Sequence, residues 1–161
     1  MPVRVVILTN HHEDRAGTNA KFLAASAQII AQENVASHLA ADHPSTGQIP
    51  PPTITYSNDY TLRLGRVEVQ LKHFGNAHSV GDTVVYFPNL KVVVIGDLFT
   101  PDTPDPDFSA GGSLVDWGPV LGQILKLDFD VVVPSKGPMI TRDDLAAFKT
   151  KIEILVSRAR W

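Results

Sequence analysis

Thr9-Asn10-His11-His12-Glu13-Asp14-Arg15-Ala16-Gly17-Thr18-Asn19 is the stretch on which the reading of this chain turns. An apolar run, Val3 to Leu8, leads into it, and a helical pattern over Lys21 to Ala27 follows. A buried strand that ends in imidazoles and carboxylates places ligand-type side chains at a strand terminus, where the sites of α/β folds form. Two of the chain's six histidines stand here side by side.

Outward from that stretch the chain alternates strand and helix signals. Val3-Arg4-Val5-Val6-Ile7-Leu8 is β-branched and almost continuously apolar, the pattern of a strand buried on both faces. Thr18 or Asn19 is placed to cap the next helix, where Phe22, Leu23 and Ala27 recur at helical spacing. Ile29 to Ala31 reads as a short strand, Glu33 to Ala41 as a helix, and the Pro- and Ser-containing segment Asp42 to Pro52 as a surface loop. Thr53 to Tyr56 is extended, and Tyr60 to Leu64 turns through Gly65-Arg66 into the alternating strand Val67 to Lys72. Thr83 to Phe87 and Lys91 to Gly96 flank Pro88-Asn89-Leu90, which predicts a tight hairpin. Phe99 to Gly112 is expected to be a loop. Ser113 and Asp116 then resemble a capping box, with Pro119 placed to delay or kink the helix. Phe129 to Val133 is a second buried strand, and a helix from Thr141 keeps Leu145, Phe148, Ile152, Leu155 and Val156 on one face. The fold class is α/β (α+β), in one domain spanning residues 1–161.

Bulk properties exclude several classes. The net charge of −3 and 19% charged residues give no basic face, so nucleic acid is not an expected partner. The chain has no cysteine, which removes disulfides, thiolate metal sites and a cysteine nucleophile. No apolar stretch approaches the roughly 20 residues of a membrane span, and Arg4 interrupts the N-terminal run where a secretion signal would be apolar. A soluble, cytoplasmic protein without a membrane partner is the expectation, and it rests on absences.

Further polar groups sit at strand ends. His78 lies in Gly75-Asn76-Ala77-His78-Ser79-Val80-Gly81-Asp82, Asp97 ends the strand Lys91 to Gly96, and Lys136 lies in Pro134-Ser135-Lys136-Gly137-Pro138 after the strand Phe129 to Val133. These segments, in this order, resemble the ligand loops of the metallo-β-lactamase superfamily. Asn10 to Arg15 is similar to its His-x-His-x-Asp-His loop, residues 75–82 to its Gly-x-x-His-[Ser/Thr]-x-Gly-Asp turn, Asp97 to its metal-bridging aspartate, and residues 134–138 to its final Gly-His-Gly-Pro turn.

The resemblance implies a ligand set with substitutions. The first ion would be held by Asn10, His12 and His78, with the Asn10 amide a poorer donor than imidazole. The second would meet Asp14, but Arg15 and Lys136 stand where histidines belong, and a guanidinium cannot ligate. His12, His78 and Asp97 remain as a set for one zinc or other divalent ion with water in the fourth place, and His11 replaces Asn10 if the register slips by one. Asp14 would orient the attacking water, and Lys136 or Arg15 would bind an anionic group of a small-molecule substrate. Alternatively, Arg15 and Lys136 replace the metal charge beside Asp14 and Asp97, and the chain is a metal-free binding or scaffold member.

The remaining residues have plainer readings. His73 is read as half-buried and structural, His38 and His43 as solvated, and the acids from Asp102 to Asp107 as turn formers. Glu13 reads as a loop acid or a local partner of Arg15, and Trp117 as a packing residue. The resemblance implies an αββα sandwich. The chain starts at the strand leading into the metal loop, so the sandwich is expected to be incomplete, lacking the usual N-terminal sheet portion and forming the C-terminal two thirds of the fold. Either the chain is part of a longer one or two copies pair to cover the open sheet edge, and a homodimer is the expectation.

Overall fold

The period-two alternation of apolar side chains along the strands decides which face of each sheet is covered by what. The computed structural model describes residues 2–41 and 47–159. Strands β1 (Val5–Ile7), β2 (Gln28–Gln32) and β3 (Ile54–Tyr56) form one sheet, all parallel, in the order β1-β2-β3. Strands β4 (Asp59–Leu64), β5 (Val67–Lys72), β6 (Val84–Phe87) and β7 (Val92–Gly96) pair antiparallel in sequence, and β8 (Val131–Pro134) joins β7 in parallel to complete a five-stranded sheet.

Along β2, Ile29 and Ala31 face one way and Ile30 the other. Ile29, Ala31 and Leu8 pack with Ala16, Phe22, Leu23, Val35 and Leu39, which belong to or flank helices α1 (Glu13–Ala16), α2 (Asn19–Ala24) and α3 (Glu33–Ala41). Ile30 packs with Tyr56, Val69, Leu71 and Val85, so the two sheets meet face to face. On the far side of the larger sheet, Val84, Tyr86, Val93, Ile95 and Val132 meet Trp117, Leu121 and Ile124 of α4 (Leu114–Ile124) and Leu145, Phe148 and Ile152 of α5 (Arg142–Ala159). The layers are therefore α, β, β, α. Each fully buried aliphatic side chain of these layers contributes about 1.5–3 kcal/mol by leaving water. No helix among the described residues is long and apolar enough to cross a membrane.

Several element ends differ from expectation. The second helix runs over Asn19–Ala24 rather than to Ala27, because Ser26 takes a left-handed φ of 62° and turns the chain into β2. Neither candidate cap acts as one: Thr18 makes no side-chain cap bond, and the Asn19 amide donates to the Pro50 carbonyl at 2.9 Å. Pro88–Leu90 is a single 3-10 turn closed by Lys91 at φ 53°. Pro119 neither delays nor ends α4, which starts at Leu114 with the Ser113 hydroxyl accepting from the Asp116 amide. The later strand occupies Val131–Pro134, with Phe129 buried just ahead of it. Helix α5 starts as expected, since Thr141 and Asp144 exchange bonds in a reciprocal cap.

Strand ends from both sheets meet at one point. The Thr83 amide donates to Thr9 at 2.8 Å, and the Ser135 amide donates to Gly96 at 2.9 Å. Gly96 has φ +56°, and a Cβ there would lie 2.8 Å from the Thr9 side chain, so only glycine lets β7 pass this close to the end of β1. The turn carrying His78 is fixed by Asp82, which is buried and accepts from both the amide and the hydroxyl of Ser79 at 2.8 Å.

Burial pushes the Asp82 carboxyl up from 3.8 to about 7, against the bonds from Ser79. A carboxyl whose folded value is raised adds stability that is complete below its ordinary range and is lost as pH rises through the folded value. Melting temperature should accordingly fall as pH rises from about 4 to about 7. Asp82→Asn, which keeps an acceptor and adds a donor, should flatten that slope; an unchanged slope by pH-dependent thermal melting would refute the assignment.

Candidate active site

The polar groups at these strand ends divide into two halves. The first half is organised by Asp97, just past β7, whose side chain is 14% exposed. Arg15, in the last turn of α1, donates one nitrogen to both Asp97 oxygens, at 2.8 and 3.1 Å. Its other terminal nitrogen binds Asp14 at 2.8 Å. Asn10 donates Nδ2–H to Asp97 at 2.7 Å, and the Ser135 hydroxyl, just past β8, makes a further short bond to it. Burial alone would push the Asp97 carboxyl up; the bonds from Ser135 and Asn10, with the charges of Arg15 and His78, more than reverse this and hold it below its ordinary value.

The second half is built from imidazoles. The rings of His12 and His78 stand 4.9 Å apart, and that of His11 lies 4.6 Å from His12. His78 Nδ1 bonds the Asp105 carbonyl at 2.8 Å, which requires the proton on Nδ1 and leaves the lone pair on Nε2. That Nε2 is buried and makes no hydrogen bond. Burial lowers the His78 pKa, against the pull of Asp97 and of the Asp105 carbonyl, so the ring is held toward its neutral form. His12 Nε2 lies 3.1 Å from Asp107 Oδ2, and His11 Nε2 lies 3.8 Å from the same oxygen. A cleft lined by His78, Asp97, Thr100, Trp117, Ser135 and Lys136 opens beside these groups, with Lys136 exposed.

The fold thus brings His12, His78, Asp97, Asn10, Arg15 and Lys136 to one region, with Asp14 at its edge and 54% exposed. Asp107 forms a turn as expected, capping Phe108–Ala110 through its side chain, and its other oxygen faces the histidine pair. One sequence reading needs correction. His38 stacks on His11 at 4.6 Å and is half-buried rather than solvated. His73 is half-buried as expected, with Nδ1 on the Asp82 carbonyl, and His43 lies outside the described residues. Ser135 and Asp107 had no strong local signal; the Asp-x-Ser spacing of Asp107 and Ser109 marks a turn, but only the folded chain shows what it faces.

A sequence profile of the metallo-beta-lactamase superfamily matches residues 1–136. This chain belongs to that superfamily. The alpha subunit of 2,4-dinitroanisole O-demethylase from Nocardioides sp. (strain JS1661) is 32% identical over 150 residues, covering 91% of this chain and 44% of that one. Metallo-beta-lactamase type 2 of Elizabethkingia meningoseptica is 30% identical over 112 residues, covering 69% of this chain and 43% of that one. The chain spans less than half the length of both relatives. Among solved structures, a metallo-beta-lactamase from Pontibacter korlensis superposes with a TM-score of 0.82 at 22% identity, over 95% of this chain and 70% of that one. DIM-1 metallo-beta-lactamase gives 0.77 at 21% identity, over 92% and 68%. These likenesses show the fold, and this chain matches about two thirds of it.

Tested against the superfamily's paired ions, the residues fit unequally. The second position offers Arg15 and Lys136, which are cations, and Asp97, whose oxygens are already engaged by Arg15, Asn10 and Ser135. Both Asp97 oxygens thus have partners, whereas the buried Nε2 lone pair of His78 has none.

Arg15→Met should destabilise the fold by about 1–3 kcal/mol, because the half-buried Asp97 charge loses its counter-ion. Since the folded Asp97 value is depressed, its contribution is present above the ordinary carboxylate range and is lost as pH falls below about 4. In Arg15→Met that acid loss should be smaller, because the folded Asp97 value moves back toward the unfolded one, as read by urea unfolding across the acid range. Identical acid profiles would show the pair to be energetically silent.

Proposed function

We propose that this chain is a metallo-β-lactamase-like hydrolase of a small-molecule substrate whose cleft admits one divalent ion at most. The observation that carries the reading is the division of the site. Asp97 is closed off by Arg15, Asn10 and Ser135, while His78 keeps a buried Nε2 lone pair beside His12. His12 and His78 would hold the ion. When bound, a zinc or comparable ion supplies Lewis acidity and a water activated near neutral pH.

The chain's own residues set the surroundings. Asp105 fixes the His78 tautomer through its carbonyl, and burial keeps the ring toward neutrality. Asp14 spends its carboxylate on Arg15, so in this reading it positions that guanidinium instead of orienting water. Lys136, exposed at the mouth of the cleft, would bind an anionic group of the substrate and offset negative charge developing on it. The unpaired edge of β1 among the described residues supports a homodimer that pairs there.

The Arg15–Asp97 contact also favours a second reading, a metal-free binding protein in which that guanidinium replaces the ion's charge. The readings separate by metal analysis and turnover. The first expects near-stoichiometric zinc, manganese or iron and ion-dependent hydrolysis of an ester, lactam or thioester that is abolished in His12→Ala. Only trace ion, with no thermal stabilisation on adding any of these metals, would leave the second.

A further inference from the structure

We propose that His11, His12 and Asp107 form the binding site for a single divalent transition-metal ion, displaced from the superfamily's ligand positions onto the loop between β7 and α4. The proposal rests on the single-ion reading above and names the ligands that complete it. One ligand atom from each of the three residues lies within 4.8 Å of the others. An ion bound at about 2.0–2.2 Å holds neighbouring ligand atoms roughly 3–3.6 Å apart. His12 Nε2 and Asp107 Oδ2 are at that separation, 3.1 Å, and His11 Nε2 is at 3.8 Å from the same oxygen. The His11–Asp107 pair need close by only a few tenths of an ångström to reach that range.

Asp107 is built to present one oxygen. Its Oδ1 accepts from the Ser109 hydroxyl at 2.6 Å and from the Ala110 amide at 3.1 Å, so Oδ2 is left for the histidines. Its backbone is tied to the His78 turn, with the Asp107 amide on the His78 carbonyl and the Gly112 amide on the Asp107 carbonyl, each at 2.7 Å. A Cβ at Gly112 would lie 2.4 Å from the His78 carbonyl oxygen, so glycine is what lets the loop seat there. His11 is oriented by its stack on His38. The polar atoms are thus positioned by contacts that do not involve an ion, as a preorganised site requires.

The independent pointer is His78. Its tautomer is fixed, and its Nε2 lone pair is buried without a partner next to His12, which supplies a further acceptor beside the three ligands. Two imidazoles and one carboxylate with a coordination position left over suit zinc, iron(II) or manganese. Asn10, which the superfamily pattern would use, is turned to Asp97 and to the His12 amide instead.

The test is cobalt(II) titration of the full chain, followed by visible d–d absorption and by thermal shift. The variants are Asp107→Asn, His11→Gln and Asn10→Ser. Asp107→Asn keeps an acceptor for Ser109 and Ala110, and His11→Gln is a second probe should the first not fold. We expect one ion per wild-type chain, affinity reduced about tenfold or more in both ligand variants, and affinity retained in Asn10→Ser. Wild-type affinity in both Asp107→Asn and His11→Gln, or loss in Asn10→Ser alone, would overturn the ligand assignment. Ion-dependent hydrolysis with that indifferent binding would sink this assignment and leave the hydrolase reading standing. Asp107-dependent binding with no hydrolysis by any loaded form would do the reverse.

Discussion

The structure depends on where one carboxylate points. Asp97 ends a strand of the larger sheet, and its ligands come from the end of β1, from α1 and from the residue after β8. A half-buried carboxylate needs donors or a cation, and charge-assisted bonds of this kind contribute about 1.5–3 kcal/mol each. Arg15 supplies the cation and spans the two sheets in doing so. A guanidinium is not displaced by a metal ion as a water would be, because it is tethered and paired on both sides, to Asp97 and to Asp14. With Asn10 and Ser135, Arg15 engages both Asp97 oxygens.

The imidazole half follows from that constraint. With Asn10 donating to Asp97, its amide cannot also turn toward His12 and His78 as a ligand. The space is bordered instead by the loop from residue 99 to 112, which is sewn to the His78 turn through backbone bonds from Asp107, Val80 and Ser113. A loop of this length without regular structure is held in place chiefly by such bonds, and here they fix Asp107 against the histidines. Burial adds the last element by keeping His78 toward its neutral form, the form that can donate a lone pair.

Much of this was legible before folding was considered. The alternation at β5 and the apolar runs at β1 and β8 located the sheets, but β1 is a half-buried edge strand of Val5–Ile7 and not a doubly buried strand from Val3 to Leu8, with Val3 exposed. The polar groups at the ends of those runs located the cleft. What could not be read was who pairs with whom. Asn10 looks like a weak oxygen ligand in sequence, yet it works chiefly through its nitrogen, as a donor to Asp97. Ser135 was overshadowed by the cation beside it. Asp107 lies 95 residues from His12 in a stretch of aspartates that all look alike, and only tertiary contact separates it from them. The end of α2 was missed for a local reason, a left-handed turn at Ser26, a residue type that seldom marks one.

Charge balance argues for one ion rather than two or none. The half-buried carboxylates are Asp97 and Asp107 and the half-buried cation is Arg15, while Asp14 and Lys136 lie exposed at the edge. Asp102 and Asp105 are exposed at the rim, where solvent and salt screen them. Without an ion the inner groups carry a small negative excess, which would repel an anionic substrate. One dication turns that excess into a small positive one, suited to attracting a carboxylate or to stabilising an oxyanion. A second dication would pile charge beside Arg15 and Lys136 with no free carboxylate to receive it, and like charges at such range in a half-buried cleft cost several kcal/mol. Arg15 and Lys136, standing where the superfamily pattern has histidines, therefore suit the proposed single ion better than a pair.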